Sequence, residues 1–273
     1  MTYCTLVNFH ELAKAYDVLY IEDNDAKSLA IYDVGNVELS QFVDNVKKYA
    51  YRKGVKKISA KVKEAQALYF FQHGFQIEAT ILAYYGLQDA VFVGYYLDEN
   101  QQDVTEVTED KILNKVFSDN NLSVAPLVLN NVTISRGGSS NRFEDCQQVV
   151  YSGRALTNHT SKLRITKFFA QIGDKIVATA SAQFNIEDKA VEFSDFTVNV
   201  DYNINSLITY LLRDMEAYYS SKGCLTAFTI VSADSLAINR ICAENHYEYG
   251  GTLKNESIIK GALTNLNTWF KRL

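Results

Sequence analysis

The chemistry in this chain concentrates where a strand runs into a helix. Ala190–Val200 reads as a strand, Asp201–Ser206 as a short loop, and Leu207 onward as a helix. A loop feeding a helix N-terminus presents unpaired backbone N–H groups and the positive end of the helix dipole, which suits an anion such as a pyrophosphate. Taken alone, the arrangement equally fits a plain connection. The strand carries two carboxylates, Glu192 and Asp195, which strict alternation puts on opposite faces. The four cysteines (Cys4, Cys146, Cys224, Cys242) are far apart and form no CxxC pair, so they read as reduced thiols. The four histidines are scattered too, and no metal site follows from their spacing.

The elements around that strand follow from periodicity. In the first half, Leu39–Tyr51 has helical apolar spacing, Lys56–Val62 alternates like a strand, and Lys63–His73 reads as a helix stopped by Gly74. Ile77–Tyr85 and Ala90–Leu97 read as strands. The stretch from about Asn100 to Asn141 is irregular, holds the sole proline, Pro126, and allows one short helix at Glu109–Phe117. We place a domain junction there, giving residues 1–125 and 126–273. In the second half, Arg142–Asn158 looks helical, and Thr166–Ile172 with Lys175–Asn185 forms a hairpin about Gly173. After Ala190–Val200 come an amphipathic helix at Leu207–Tyr219, a buried-type strand at Cys224–Val231 and a helix at Ser235–Asn245. Strands at Tyr247–Lys254 and Thr264–Lys271 close the chain. This order predicts an α/β fold with a mixed sheet. The stretch Gln72–Thr80 also echoes Asn245–Thr252, so the halves either descend from one helix–strand unit or share a common pattern by chance.

Bulk properties bound the function. The 273 residues are 47% apolar and 22% charged, with net charge −5. That describes a soluble globular protein without the basic patch of a nucleic-acid binder. A mildly acidic protein suits a cationic small substrate. The N-terminus lacks a basic segment followed by an apolar run, and no stretch approaches the ~20 apolar residues of a membrane span, so a cytoplasmic location is expected.

Several motifs point to a family. The runs Val177-Ala178-Thr179-Ala180-Ser181-Ala182 and Glu192-Phe193-Ser194-Asp195-Phe196-Thr197 resemble the central strands of GNAT acetyltransferases, and more narrowly the beta-lysine N-acetyltransferases. Tyr247-Glu248-Tyr249-Gly250-Gly251-Thr252-Leu253-Lys254-Asn255 and Asn267-Thr268-Trp269-Phe270-Lys271 with Leu273 are similar to that family's YxYGGxLxNN stretch and NxWYKxL terminus. Ile58–Val62 and Gly74–Ala79 add to the likeness.

The resemblance implies a C-terminal GNAT fold behind a smaller, degenerate GNAT-like N-terminal domain. It implies transfer of acetyl from acetyl-CoA to the terminal amine of beta-lysine or a similar small diamine, with an osmolyte as product and no metal. A lysine-type amine, with a reference pKa of about 10.4, must lose a proton before attack. By resemblance Glu192 takes it, Asp195 is the second candidate or holds the amine, and Cys242 stands where a tyrosine usually protonates the leaving thiolate. Phe196, Thr197 and Val198 would pair with the pantetheine, Asn239 would hydrogen-bond the cofactor, and Asn203-Ile204-Asn205-Ser206-Leu207-Ile208 would hold the pyrophosphate. The family has an RGKGLA-like stretch at that loop, so the basic residue and both glycines are missing here. Backbone amides capped by Asn205 or Ser206 could still bind, with weakened affinity. Arg154, Lys162 and Arg164 are candidates for the acceptor's carboxylate. Ala155-Leu156-Thr157-Asn158-His159 replaces a YPFP-like segment, which leaves another amine open as acceptor. A GNAT-fold binding or regulatory protein that has lost catalysis is the alternative.

Overall fold

The computed structural model describes residues 9–98, 106–118, 131–137, 148–151, 163–259 and 261–273. Helix α1 (Phe9–Ala15) leads into a hairpin of β1 (Leu19–Asp23) and β2 (Ser28–Asp33). Asp23 turns it, its Oδ1 accepting the backbone N–H groups of Asp25 (2.9 Å) and Ala26 (2.8 Å). An Asp-built turn of this kind is a hairpin signal that the sequence reading passed over. The chain then crosses through α2 (Leu39–Lys53) to β3 (Lys57–Lys63), which lies parallel to β2. Phe42, Val43, Val46 and Ala50 form the buried stripe of α2, and Gly54, at φ 68°, ends it in the left-handed conformation. Helix α3 (Glu64–Gln72) precedes the antiparallel pair β4 (Gln76–Ile81) and β5 (Ala90–Tyr96).

The second half repeats this plan behind a longer lead-in of α4 (Glu106–Ser118), β6 (Val132–Arg136), β7 (Gln148–Tyr151), β8 (Leu163–Ile172) and β9 (Lys175–Asn185). Strand β10 (Ala190–Asn199) crosses through α5 (Ile204–Ser221) to the parallel β11 (Thr226–Ser232). Helix α6 (Leu236–Glu244) and the antiparallel pair β12 (Glu248–Ile259) and β13 (Ala262–Arg272) complete the chain.

One sheet carries both halves, in the order β1-β2-β3-β5-β4-β12-β13-β11-β10-β9-β8-β6, with β7 on β10 off that path. Its centre is a palindrome: β2-β3-β5-β4 on one side mirrors β10-β11-β13-β12 on the other. The faint echo in the sequence is thus a repeated strand–helix–strand–helix–hairpin, its copies meeting where Ala79 of β4 pairs with Gly251 of β12. That crossing explains the two glycines of the tail motif. A Cβ on Gly250 would stand 2.4 Å from the Thr80 carbonyl oxygen, and one on Gly251 would stand 2.3 Å from that of Glu78. Only glycine lets the backbones approach so closely.

Among the described residues, three apolar clusters form the core. One lies under α2 and α3, and one under α5 and α6. The third is shared, with Ile81, Tyr84 and Phe92 packing against Phe228, Leu253, Leu266 and Phe270. Helix α4 falls inside the 1–125 segment, yet its Val116 packs into the cluster of the second half. The expected helix at Arg142–Asn158 is absent from its described part, where Gln148–Tyr151 is a strand. The rest of that segment, including Arg154, lies outside the described residues, as does His159 just beyond it.

Candidate active site

Strand β10 builds the site by parting from its neighbour. It pairs with β11 only at Ala190, Val191 and Glu192, and then runs on for seven more residues. Along its other edge β9 follows it to Val198, with a register break between Ser194 and Thr197. Asp195 sits in that break at φ 53°, so the strand carries an extra residue there. The bulge resets the alternation: Val191 and Phe193 face the α5 core before it, Phe196 and Val198 after it. Asp195 is half-exposed and accepts a 3.3 Å hydrogen bond from the Ser194 hydroxyl.

Past the bulge lies the edge expected to pair with a cofactor. Phe196, Thr197, Val198 and Asn199 are instead in register with Tyr151, Val150, Val149 and Gln148 of β7. Because β9 holds the opposite edge, β7 lies on the side that β11 has left. The loop that follows is compact: Asn199 Oδ1 accepts the Asp201 N–H at 2.9 Å, and no residue from Val200 to Ser206 has positive φ. The cap of α5 is Asn203, rather than Asn205 or Ser206, and its Oδ1 accepts the Ser206 N–H at 2.9 Å. This leaves the N–H groups of Ile204 and Asn205 at the helix end to meet an anion. Leu207 and Ile208 are buried in the core and could contribute backbone only.

On the other side of Glu192 the two halves enclose a pocket of about 380 Å³. Glu192 and Phe228, the last cross-strand pair before the parting, both line it. From the first half come Tyr32 and Asp33 at the end of β2, Lys61 of β3, and Tyr84 and Tyr85 of the β4–β5 turn. Asp188, Gln183 and Asn185 face them from the second half, and Lys14 and Asp17 also line the space. Lys61 Nζ donates to the Tyr84 hydroxyl at 2.7 Å and lies 4.3 Å from the centre of its ring. The Tyr84 ring meets Phe228 edge-on at 5.5 Å. Burial, then the charges of Asp188, Glu192 and Asp33, push the Tyr84 hydroxyl well above its usual pKa, so it stays a neutral donor. Burial also raises Asp188, with Lys61 opposing. Four carboxylates against two lysines give the pocket an excess of negative charge, while Tyr32, Tyr84, Tyr85 and Phe228 give it apolar faces. Such walls suit a cationic amine on an aliphatic chain.

Other expected residues stand elsewhere. Asn239 is fully buried, and its amide donates to the Ser232 (2.9 Å) and Ser235 (2.7 Å) carbonyls while accepting from Asn267 (2.9 Å) and Trp269 (2.8 Å). Two donors and two lone pairs are all an asparagine side chain has, so none is left for a cofactor. Asn239 instead ties α6 to β11 and β13. Cys242 is 1% exposed inside the apolar core, where burial pushes its thiol pKa up. Arg164 is an exposed residue of β8, and Arg154 and Lys162 lie outside the described residues. The sequence reading missed Lys61, Tyr84, Asp33 and Asp188. Lys61 falls in the Ile58–Val62 stretch that carries part of the resemblance, which gives it no role, the other three belong to no motif, and only the fold brings all four to the pocket of Glu192. Among the described residues, no cluster of His, Cys, Asp and Glu could hold a metal, and no helix is long and apolar enough to cross a membrane.

No protein-family model matches the chain. Across 88% of its length, and 89% of the relative's, it is 28% identical to the beta-lysine N(6)-acetyltransferase of Methanococcus maripaludis. Over 37% of its length it is 31% identical to N-acetyltransferase YodP of Bacillus subtilis, covering 36% of that protein. A solved ribosomal L7/L12 alpha-N-protein acetyltransferase in complex with coenzyme A overlies 40% of the chain and 62% of its own, at 14% identity and a TM-score of 0.38. The near-full-length likeness bears out the resemblance carried by the strand and tail motifs: over nearly its whole length the chain is similar to a beta-lysine N-acetyltransferase.

Proposed function

We propose that the chain transfers the acetyl group of acetyl-CoA to the terminal amine of beta-lysine or a similar small diamine, and that the product serves as an osmolyte in the cytoplasm. The pocket beside Glu192 carries this reading. It is closed by both halves, lined by aromatic rings and rich in carboxylates, as a small aliphatic di-cation requires. Glu192 takes a proton from the acceptor ammonium, directly or through one water, and so frees the nitrogen lone pair. Asp188 and Asp33 hold the second ammonium by charge, while Lys61 offers a contact to a substrate carboxylate. The freed amine attacks the thioester carbonyl of acetyl-CoA, the C–S bond breaks, and CoA leaves as a thiolate that is protonated from water. The backbone edge after Asp195 and the N–H groups of Ile204 and Asn205 orient acetyl-CoA.

The occupied edge of β10 and the capped α5 terminus favour a second reading, a GNAT-fold binding protein that has lost catalysis. One assay decides between them. The purified chain is mixed with acetyl-CoA and beta-lysine, lysine or a five-carbon diamine, and released thiol and acetylated product are followed. Thiol release that depends on a diamine is expected. Saturable binding of amine with no thiol release would leave the lapsed form standing.

A further inference from the structure

We propose that β7 is a displaceable strand that covers the cofactor edge of β10, so that acetyl-CoA binds only after Gln148–Tyr151 has left. The inference rests on the acetyl-CoA reading and adds a step to it.

Strand β10 has two edges. One is held by β9 along its length, and the other by β11 for three residues only, Ala190–Glu192. Beyond the bulge at Asp195, among the described residues, that second edge has no partner in the main order of the sheet and pairs with β7. An open edge of this kind is a template for any extended chain that offers alternating donors and acceptors. A pantetheine arm has amide groups of that sort, and so does a tetrapeptide. The two cannot use the same backbone groups of Phe196–Asn199 at once.

Strand β7 is suited to leaving. Among the described residues its strand partner is β10, and Val150 is 55% exposed. A strand held by one neighbour opens at low cost compared with the strands of the core. The edge it covers is firm, since Phe196 and Val198 are fully buried against α5. The docking site is therefore preformed and its occupant exchangeable. The loop beyond the edge lacks the glycines and basic residue expected of a strong pyrophosphate site, so the cofactor competes with β7 from a weakened position. Free chain is held closed, and binding selects the minor open form.

The test is to replace both Val149 and Val150 by proline. Successive N–H groups in a strand point to opposite sides, so one of the two substitutions must remove a donor aimed at β10. Neither position belongs to the pocket or to the α5 terminus. Titration of both chains with acetyl-CoA should show tighter binding by V149P/V150P, by about tenfold if β7 occupies the edge nine-tenths of the time. Hydrogen exchange gives a readout without ligand: the amides of Phe196–Asn199 that face β7 should exchange faster in the variant and regain protection with acetyl-CoA. Equal affinities together with unchanged exchange would overturn the displaceable strand and leave the acetyltransferase reading intact. If neither chain binds acetyl-CoA at millimolar concentration, the cofactor reading falls and this proposal with it.

Discussion

The two halves of the sheet repeat one motif, and they differ at the point where a cofactor would enter. In the second half, β10 runs seven residues past its last pair with β11, bulges at Asp195 and delivers an Asn203-capped helix. In the first half, β2 stops at Asp33, two residues after its last pair with β3 (Ile31 with Ala60). The loop that follows is pressed against the chain before β1. Asn36 donates its N–H to the Tyr16 carbonyl at 3.1 Å, and a Cβ on Gly35 would fall 1.9 Å from that oxygen. The cap residue of α2 is Glu38, which makes no side-chain cap. The first half thus lacks the long unpaired edge, and the carboxylate of Glu38 stands at the helix end where an anion would have to come. Its corresponding residues, Tyr32, Asp33 and Lys61, turn to the shared pocket instead. On the proposed function, the repeated motif serves the cofactor in one copy and walls the acceptor in the other.

If the chemistry belongs to the second half, Glu192→Gln should have the largest effect. Loss of the base should lower kcat by about 10²-fold or more while acetyl-CoA affinity stays within about twofold. A fall confined to KM would move the base elsewhere and break the division of labour. The next effect falls on the scaffold. Asn239, at the fourth position of α6, is matched at the fourth position of α3 by Ala67, a plain packing residue. Asn239→Ala strands the buried Asn267 and Trp269 donors and should cost about 2–4 kcal/mol in urea unfolding. Acetyl-CoA affinity of the folded protein should be unchanged. A stable variant with weakened cofactor binding would restore Asn239 to the cofactor site.

The elements that the sequence revealed are those with local signals. Helix α2 and strand β9 were legible from periodicity, and the hairpin after β8 from Gly173. Glu192 was placed by its motif. What stayed hidden depends on distant partners. Strand β7 sits in a segment with helical apolar spacing and is extended because the edge of β10 pairs with it, a case of tertiary context overriding pattern. Strict alternation set Asp195 opposite Glu192, whereas a bulge with positive φ resets the phase, and aspartate gave only a weak hint of it. By resemblance Asn239 was expected to hydrogen-bond the cofactor, because nothing local shows that β13 brings Asn267 and Trp269 to its side-chain oxygen.

A smaller effect lies in the seam between the halves. Lys57, 1% exposed, reaches Glu78 at 2.9 Å and Glu256 at 2.8 Å, and Ser59 donates to Glu256 at 3.0 Å. Two carboxylates share one ammonium there. Burial, together with Glu256, raises the Glu78 pKa against the pull of Lys57. A carboxyl whose folded pKa exceeds its unfolded value of about 4.3 contributes stability in full below that value and loses it as pH rises through the folded pKa. Glu78→Gln keeps an amide oxygen for Lys57 and offers its N–H to the Tyr96 hydroxyl in place of accepting from it, but cannot titrate. Relative to the parent chain, its stability should therefore improve as pH goes from about 4.5 toward neutral. Parallel pH–stability curves would show that the seam holds its charge unstrained.

The smallest effect gives the sharpest test of the wall. Asp33 is exposed at the pocket, where its Oδ1 already accepts the Gly35 N–H at 2.8 Å, so it acts on the acceptor mainly through charge. Exposed charge pairs contribute about 0.2–1 kcal/mol, which corresponds to a change in affinity of up to about fivefold. Asp33→Asn should raise KM for a diamine by about that factor, less at high salt, with kcat and acetyl-CoA affinity unchanged. A monoamine of the same length lacks the second charge and should show no change in KM. The contrast between the two acceptors matters more than either value. A KM change of equal size for both would mean that Asp33 shapes the loop rather than reads the substrate, and the first half would then be only the support on which the second half stands.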